Sequence, residues 1–386
     1  MASFLDNKQR ITLVSFLAYF VMSGMLAPIG IISVQMAELF DRPITDVTAQ
    51  FGWLTFGNMI GAVLALIIFD VLKVRTVFLV IYVLIIASIL SLNFQDDLMK
   101  VGMALGVVGV CCGLGLASAA LVISKSYDAE RRASMLVITD ASFSVAGFSC
   151  AALATTLIAA GVHWTGSYQF VAGVAGVILL LTFASKFPDT ATDNSVENNG
   201  EAWPLSVWLC IGALFLYTLG QFSMLWWLPN YVQEELGASA EQSGFLITLF
   251  WLGLFVSQLV VAWWVVKIGV RKLVLIAAIL TCLCSILPWT FGDLSILPLL
   301  TFIWGVANFS LLKLVLSYGT QMVNVPTPRL VSTLLLGATL GTAVSPWVTS
   351  RIVAATDNFF ILQFSTLCYA ALAILLIVAT RLHDSR

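Results

Sequence analysis

The sequence predicts an all-α membrane protein of twelve transmembrane helices in two pseudo-symmetric six-helix bundles. Three observations predict it. The first is composition: of 386 residues, 60% are apolar and 10% charged, and mean hydropathy is +1.01, whereas a soluble domain carries about 45–50% apolar and about 25% charged residues. A soluble fold of this length cannot hide so much apolar side chain, which excludes secreted, cytosolic and nucleic-acid-binding proteins. The second is the division of the chain into charge-bounded apolar runs of membrane-spanning length, about 20 residues each. The third is a repeat. The basic stretch KVRTVFLV starting at Lys73 returns as GVRKLVLI starting at Gly269, 196 residues further on, as a duplicated six-helix unit requires.

The runs cover residues 11–36, 47–69, 75–94, 101–124, 134–160, 165–185, 204–230, 242–266, 272–291, 295–322, 330–354 and 359–380. Only helices satisfy their own backbone in lipid as open elements, and these runs are too long for barrel strands. The longest polar stretch, PDTATDNSVENNGEA from Pro188 to Ala202, separates an N-terminal bundle (1–186) from a C-terminal one (204–386), with a cytoplasmic linker at 187–203. With a cytoplasmic N-terminus, 14 of the 18 Lys and Arg fall on inner segments, while Arg42, Lys100 and Arg351 fall outside and Lys313 within a span. This positive-inside bias puts both termini and the linker in the cytoplasm. The first apolar run follows Lys8 and Arg10 but is too long for a cleavable signal peptide. The net charge of −2 gives no hint of polyanion binding, and the seven Cys, including Cys111, Cys112, Cys282 and Cys284, lack metal or disulfide spacing.

The two basic loops resemble the paired signature of the major facilitator superfamily, Gly-x-x-x-Asp-x-x-Gly-x-Arg-Lys. In the first copy Asp70 and Arg75 match and Lys73 replaces the second glycine. In the second, Gly269, Arg271 and Lys272 match and Val266 replaces the acid. Thr139 to Gly147 (TDASFSVAG) and Val325 to Val331 (VPTPRLV) are similar to the TsgA-type transporters, near the fucose–proton symporter branch. The resemblance implies this superfamily's fold, and inner gates built on Asp70, Arg75, Gly269, Arg271 and Lys272, with Lys125, Arg131 and Arg132 joining them. The fucose-type coupling acids are absent, because spans one and four contain neither Asp nor Glu.

A charge inside a bilayer is costly and marks a functional site by default. Two stand out. Asp140 in span five lies eight residues past Arg132, about 12 Å along a helix, on a stripe with Ser144, Gly147 and Ala151. A carboxyl held away from water can take and release a proton in the physiological range, so Asp140 is the expected proton-coupling group. Lys313 in span ten shares a face with Ser310, Ser317 and Thr320 and would attract a carboxylate or phosphate. The plainer alternative is that Asp140 and Lys313 neutralise one another. Softer solute-binding candidates are Tyr19, Asn58, Tyr217, Gln221, Trp251 and Asn308. Trp226, Trp227 and Trp347 read as interfacial anchors, and Gly102, Gly106, Gly109, Gly113, Gly337 and Gly341 as close-packing faces.

No nucleophile–base pair, phosphate-cradling loop or metal cluster is legible, so neither an enzyme nor a cofactor or metal is expected. The expected function is a secondary active transporter of a bacterial inner membrane. It would be monomeric, with protons, the lipid bilayer and a small polar solute, carboxylate-bearing by preference, as its partners. Multidrug efflux by proton antiport is the alternative reading.

Overall fold

The structure, a computed structural model, describes residues 6–188, 203–308, 310–323 and 328–384. The chain divides into two compact units, Met1–Glu197 and Asn198–Arg386. Unit one contains α1 (Asn7–Leu26), α2 (Ile29–Phe40), α3 (Ile44–Val71), α4 (Val74–Ser91), α5 (Leu98–Ser126), α6 (Ala129–Ala159) and α7 (Gly166–Phe183), with a 3-10 turn at Leu92–Phe94. Unit two contains α8 (Leu205–Leu236), α9 (Ala240–Ile268), α10 (Val270–Thr290), α11 (Leu297–Ala307), α12 (Leu311–Gln321), α13 (Pro328–Ala355) and α14 (Asn358–Asp384). Among the described residues, twelve spans are long and apolar enough to cross a membrane. Side-chain caps close the starts of α1, α5, α9 and α14. At α1 the Asp6 carboxylate accepts the Gln9 amide (2.7 Å) and the Gln9 side chain accepts the Asp6 amide (3.0 Å), a reciprocal box that satisfies two exposed donors.

Two spans are broken. The first, expected as one run over 11–36, stops at Leu26 and restarts at Ile29, because Pro28 has no N–H for the Gly24 carbonyl. The Tyr168 hydroxyl of α7 donates to the neighbouring Met25 carbonyl (3.0 Å), supplying in lipid what water would supply elsewhere. The tenth span, expected as one helix over 295–322, is α11 and α12 joined through Ser310, whose φ of +50° lies in the left-handed region. There the Thr281 hydroxyl of α10 donates to the Ala307 carbonyl (2.8 Å), and the Leu311 amide turns back to the Asn308 carbonyl (2.7 Å). The expected single face of Ser310, Lys313, Ser317 and Thr320 is therefore corrected: Ser310 caps α12 outside the helix, and only the other three share its surface.

The repeat is written into the packing. A Cβ on Gly109 would lie 2.1 Å from the Leu54 carbonyl oxygen, and one on Gly305 2.2 Å from that of Phe250. A Cβ on Gly57 would lie 2.5 Å from the Gly106 oxygen, and one on Gly253 2.4 Å from that of Phe302. Positions 54 and 250, 57 and 253, 106 and 302, and 109 and 305 are each 196 apart, the offset of the two basic loops. In both units, then, the second and fourth spans (α3 with α5, α9 with α11) run parallel and touch backbone to backbone, as small-residue membrane interfaces do. Within these pairs the copies differ: α5 runs unbroken through 112–114, whereas in unit two α11 ends at Ala307 and α12 starts at Leu311.

At one end of unit one, polar contacts tie the chain's entry and exit together. The Asn7 amide donates to the Lys186 carbonyl (2.8 Å) and accepts the Lys186 amide (2.8 Å). The Lys8 ammonium sits 4.1 Å over the Tyr127 ring. At the opposite end, Asn93 Oδ1 accepts from Thr165 (2.6 Å) and Gln169 (2.7 Å), and His163 Nδ1 bonds Thr165 Oγ1 (2.9 Å).

Candidate functional site

In unit one the chemistry gathers where α6 packs on α1. Asp140 is half-buried on α6, near enough to Tyr19 of α1 for its charge to act on the phenol. The Ser142 hydroxyl donates to the Phe16 carbonyl (2.9 Å) and so staples α6 to α1 two residues past Asp140. Ser144 is buried one turn on. Asn58 is carried by α3, and its backbone forms part of the seam with α5 beneath Gly109 and Gly113. Its Oδ1 is buried without a hydrogen-bond partner among the described residues. The structure thus brings Tyr19, Asp140 and Ser144 onto adjoining helices and puts Asn58 on the α3–α5 seam.

In unit two a line of rings crosses four helices. Tyr217 of α8 stands 6.3 Å from Tyr369 of α14, Tyr369 is 6.5 Å from Trp304 of α11, and Trp304 is 4.2 Å from Phe250 of α9, which neighbours Trp251 at 5.8 Å. Gln221 is buried one turn past Tyr217. Tyr369 was not singled out in the sequence, because a lone tyrosine in an apolar run carries no pattern there. Its signal is three-dimensional. Trp226 and Trp227 are corrected: both are buried inside unit two and neither is an exposed anchor.

The broken span adds polar groups beside these rings. Asn308 Nδ2 donates to the Trp304 carbonyl (2.9 Å), which fixes the amide so that Oδ1 is left over. Asn308 is fully buried and Ser310 nearly so, and neither Asn308 Oδ1 nor Ser310 Oγ has a hydrogen-bond partner among the described residues. A buried acceptor left unmade costs about 1–3 kcal/mol, and a non-glycine residue in the left-handed region about 1–3 kcal/mol more. Lys313 is exposed one turn into α12, and Ser317 is half-buried one turn beyond.

The gate candidates occupy helix ends. Arg75 Nη2 donates to the Phe183 carbonyl (3.0 Å), which caps the last turn of α7. Asp70 ends α3, Lys125 ends α5 and Arg131 opens α6, all exposed; the side chain of Arg132 lies outside those described. Gly269 has φ +83° and hands the chain into α10, whose first turn carries exposed Arg271 and Lys272. Cations in the first turns of α4 and α10 oppose the dipoles of their own helices; Arg75 instead serves the end of α7. Among the described residues no group of acids, His and Cys is arranged to hold a metal ion.

Twelve apolar spans and a duplicated six-span unit with charge inside the membrane define a multi-pass membrane transporter. A profile of the Major Facilitator Superfamily matches residues 11–231 and 209–385, and the chain belongs to that superfamily, whose members are transporters and not enzymes. It is similar to the Protein TsgA homolog of Buchnera aphidicola subsp. Baizongia pistaciae (strain Bp), at 24% identity over 382 residues, 99% of this chain and 98% of the relative. Among solved structures it resembles a D-xylose-proton symporter, with TM-score 0.74, 14% identity and 96% of each chain covered. It also resembles the nucleoside transporter NupG, with TM-score 0.70, 12% identity, and 97% of this chain and 99% of that one covered.

Proposed function

We propose that the protein is a secondary active transporter of a bacterial inner membrane that carries a small polar organic solute by proton-coupled alternating access. Both termini are cytoplasmic in this reading, the chain works as a monomer, and the bundles correspond to residues 1–186 and 204–386. Asp140 is the proton-coupling group. Lys313 contacts the solute, which favours a carboxylate, and Ser144, Ser310, Ser317, Tyr19, Asn58, Tyr217, Gln221, Trp251 and Asn308 contribute to its site. Asp70, Arg75, Lys125, Arg131, Arg132, Gly269, Arg271 and Lys272 gate the inner side.

The observation that carries this reading is Asp140: a half-buried carboxyl in a membrane span, beside the Tyr19 phenol. An acid kept in such a place at the cost of several kcal/mol gains a purpose if its proton travels. The resemblance of the fold to a D-xylose-proton symporter supports the same coupling. The test uses proteoliposomes with an inside-alkaline pH gradient and labelled organic acids, sugars and amino acids. Wild-type protein is expected to accumulate its solute against a gradient. Asp140→Asn should lose that accumulation and retain counterflow exchange, and undiminished uphill uptake by the variant rules out the coupling role.

A further inference from the structure

The likeness of the two units fails where α1 and α8 begin. In unit one that end closes on itself. The Asp6 carboxylate caps α1, Asn7 is spent on the Lys186 backbone, and the Thr12 hydroxyl bonds the Tyr127 hydroxyl (2.8 Å). The positions 196 residues past Asn7 and Thr12 are Trp203 and Trp208. Their indoles lie 5.8 Å apart, tilted by 47°, and the Arg329 guanidinium of α13 stands 5.8 Å over the Trp203 ring. α8 starts behind Pro204 with no side-chain cap, which leaves the first amides of the helix without a side-chain acceptor. Unit two thus presents two indoles, a guanidinium and an uncapped helix start where unit one has a closed polar lock.

This end is also apolar on its surface and sorted in charge. Trp208 is 52% exposed and Leu205 59%. With Gly212 and Leu216, both half-buried, they recur at i, i+3, i+7 and i+11 and share one face of α8. α8 has 32 residues, about 48 Å at 1.5 Å each, against a hydrocarbon core of about 30 Å. Its ends therefore reach the headgroup layers, where tryptophan is favoured. In unit two, Lys267, Arg271, Lys272, Arg329 and Arg381 all stand at the end where α8 begins. The acids whose side chains are described, Glu234, Glu235, Glu241, Asp293 and Asp357, stand at the opposite end.

We propose that Trp203, Trp208 and Arg329 hold an anionic phospholipid at the start of α8. Its phosphate lies against Arg329 and the uncapped amides, and an acyl chain runs along the face from Leu205 to Leu216. A free phosphate would leave the exposed indole and leucine uncovered. A zwitterionic lipid would bring a further cation to an end whose described charges are all positive. In the topology proposed above this is the cytoplasmic leaflet, and the lipid site does not depend on the nature of the solute or of its coupling.

Native mass spectrometry of the full-length protein, released from micelles with equal amounts of phosphatidylglycerol and phosphatidylcholine, tests this. The first lipid retained is expected to be phosphatidylglycerol by about fivefold, the usual worth of one basic group at an anionic lipid. Arg329→Gln should bring the two lipids to parity, and Trp208→Ala should weaken retention of both by removing acyl-chain contact. Arg329 and Trp208 are exposed, so both variants should keep the wild-type Tm. Arg381→Gln, at the same end but on α14, should leave the preference intact; an equal loss there would make it a diffuse effect of surface charge and overturn the site. Equal retention of both lipids by wild type, or unchanged retention in Trp208→Ala, overturns it as well. So does displacement of phosphatidylglycerol by inorganic phosphate, which would assign Arg329 to a free anion. A dimer that Trp208→Ala dissociates would assign the face to a second copy and likewise refute the lipid.

Discussion

Single hydroxyls hold the irregular parts of both units. Thr281 and Tyr168 each donate to a carbonyl at the edge of a helix break, Ala307 and Met25 respectively. Replacing either group by an apolar isostere leaves a buried carbonyl unmet, at about 1–3 kcal/mol. Thr281→Val and Tyr168→Phe are therefore expected to lower stability by that amount in denaturant titrations. Ser317→Ala, on an intact helix, should change it by less than about 0.5 kcal/mol. At the end of unit one that carries Asn93, partial desolvation holds His163 below its ordinary value of 6.5. The folded state therefore resists protonating it more than the unfolded chain does. Stability declines as pH falls through 6.5, and His163→Gln should flatten that decline between pH 7 and pH 5. At this scale the sequence exposed the charges but not the latches. Asp140 and Lys313 were visible because charge in an apolar run is rare, whereas Thr281, Tyr168 and Tyr369 look like any other polar residue in a span until their partners are known.

Among elements, the glycine seams distinguish packing from pattern. Gly106 and Gly109 both lie on the expected small-residue face of α5, yet their surroundings differ. A Cβ on Gly106 meets the Trp53 Cβ at an ordinary 3.6 Å, while one on Gly109 runs into the Leu54 carbonyl at 2.1 Å. Gly109→Ala and its counterpart Gly305→Ala should therefore abolish a monodisperse peak in size-exclusion chromatography, or push the protein into aggregates. Gly106→Ala should elute as wild type, and indistinguishable behaviour of the three would refute the seam. The sequence shows where glycines recur but not how close a neighbouring backbone comes. Element boundaries were legible where charge ends a run. Pro28 is a residue that can break the first span, but nothing in the composition of residues 295–322 announces that the tenth span is two helices. Its apolar run is continuous and the interruption is a matter of backbone conformation at Ser310.

For the whole molecule, twelve helices in two six-helix units followed from composition, run length and the 196-residue repeat, because a bilayer leaves helices as the only economical choice, while the superfamily entered as a resemblance carried by the two basic loops. The direction of insertion is open to a labelling test. Lys73→Cys should react with a membrane-impermeant maleimide only in inverted vesicles and Lys100→Cys only in intact cells, and the reverse pattern would invert the topology. Background labelling should be low, since Cys111, Cys112, Cys150, Cys210 and Cys368 are buried and Cys282 and Cys284 half-buried.

The backbone-to-backbone seams have a mechanical corollary. Helices pressed backbone to backbone have little to repack there, so α3 with α5, and α9 with α11, behave as stiff paired beams that tilt only together. Shape change within a bundle must then come from the joints left outside the beams, the elbow at Pro28 and the interruption before α12. The second joint lies at the very end of its beam, where a small rotation of α12 swings the Lys313 ammonium through an arc while α11 stays still.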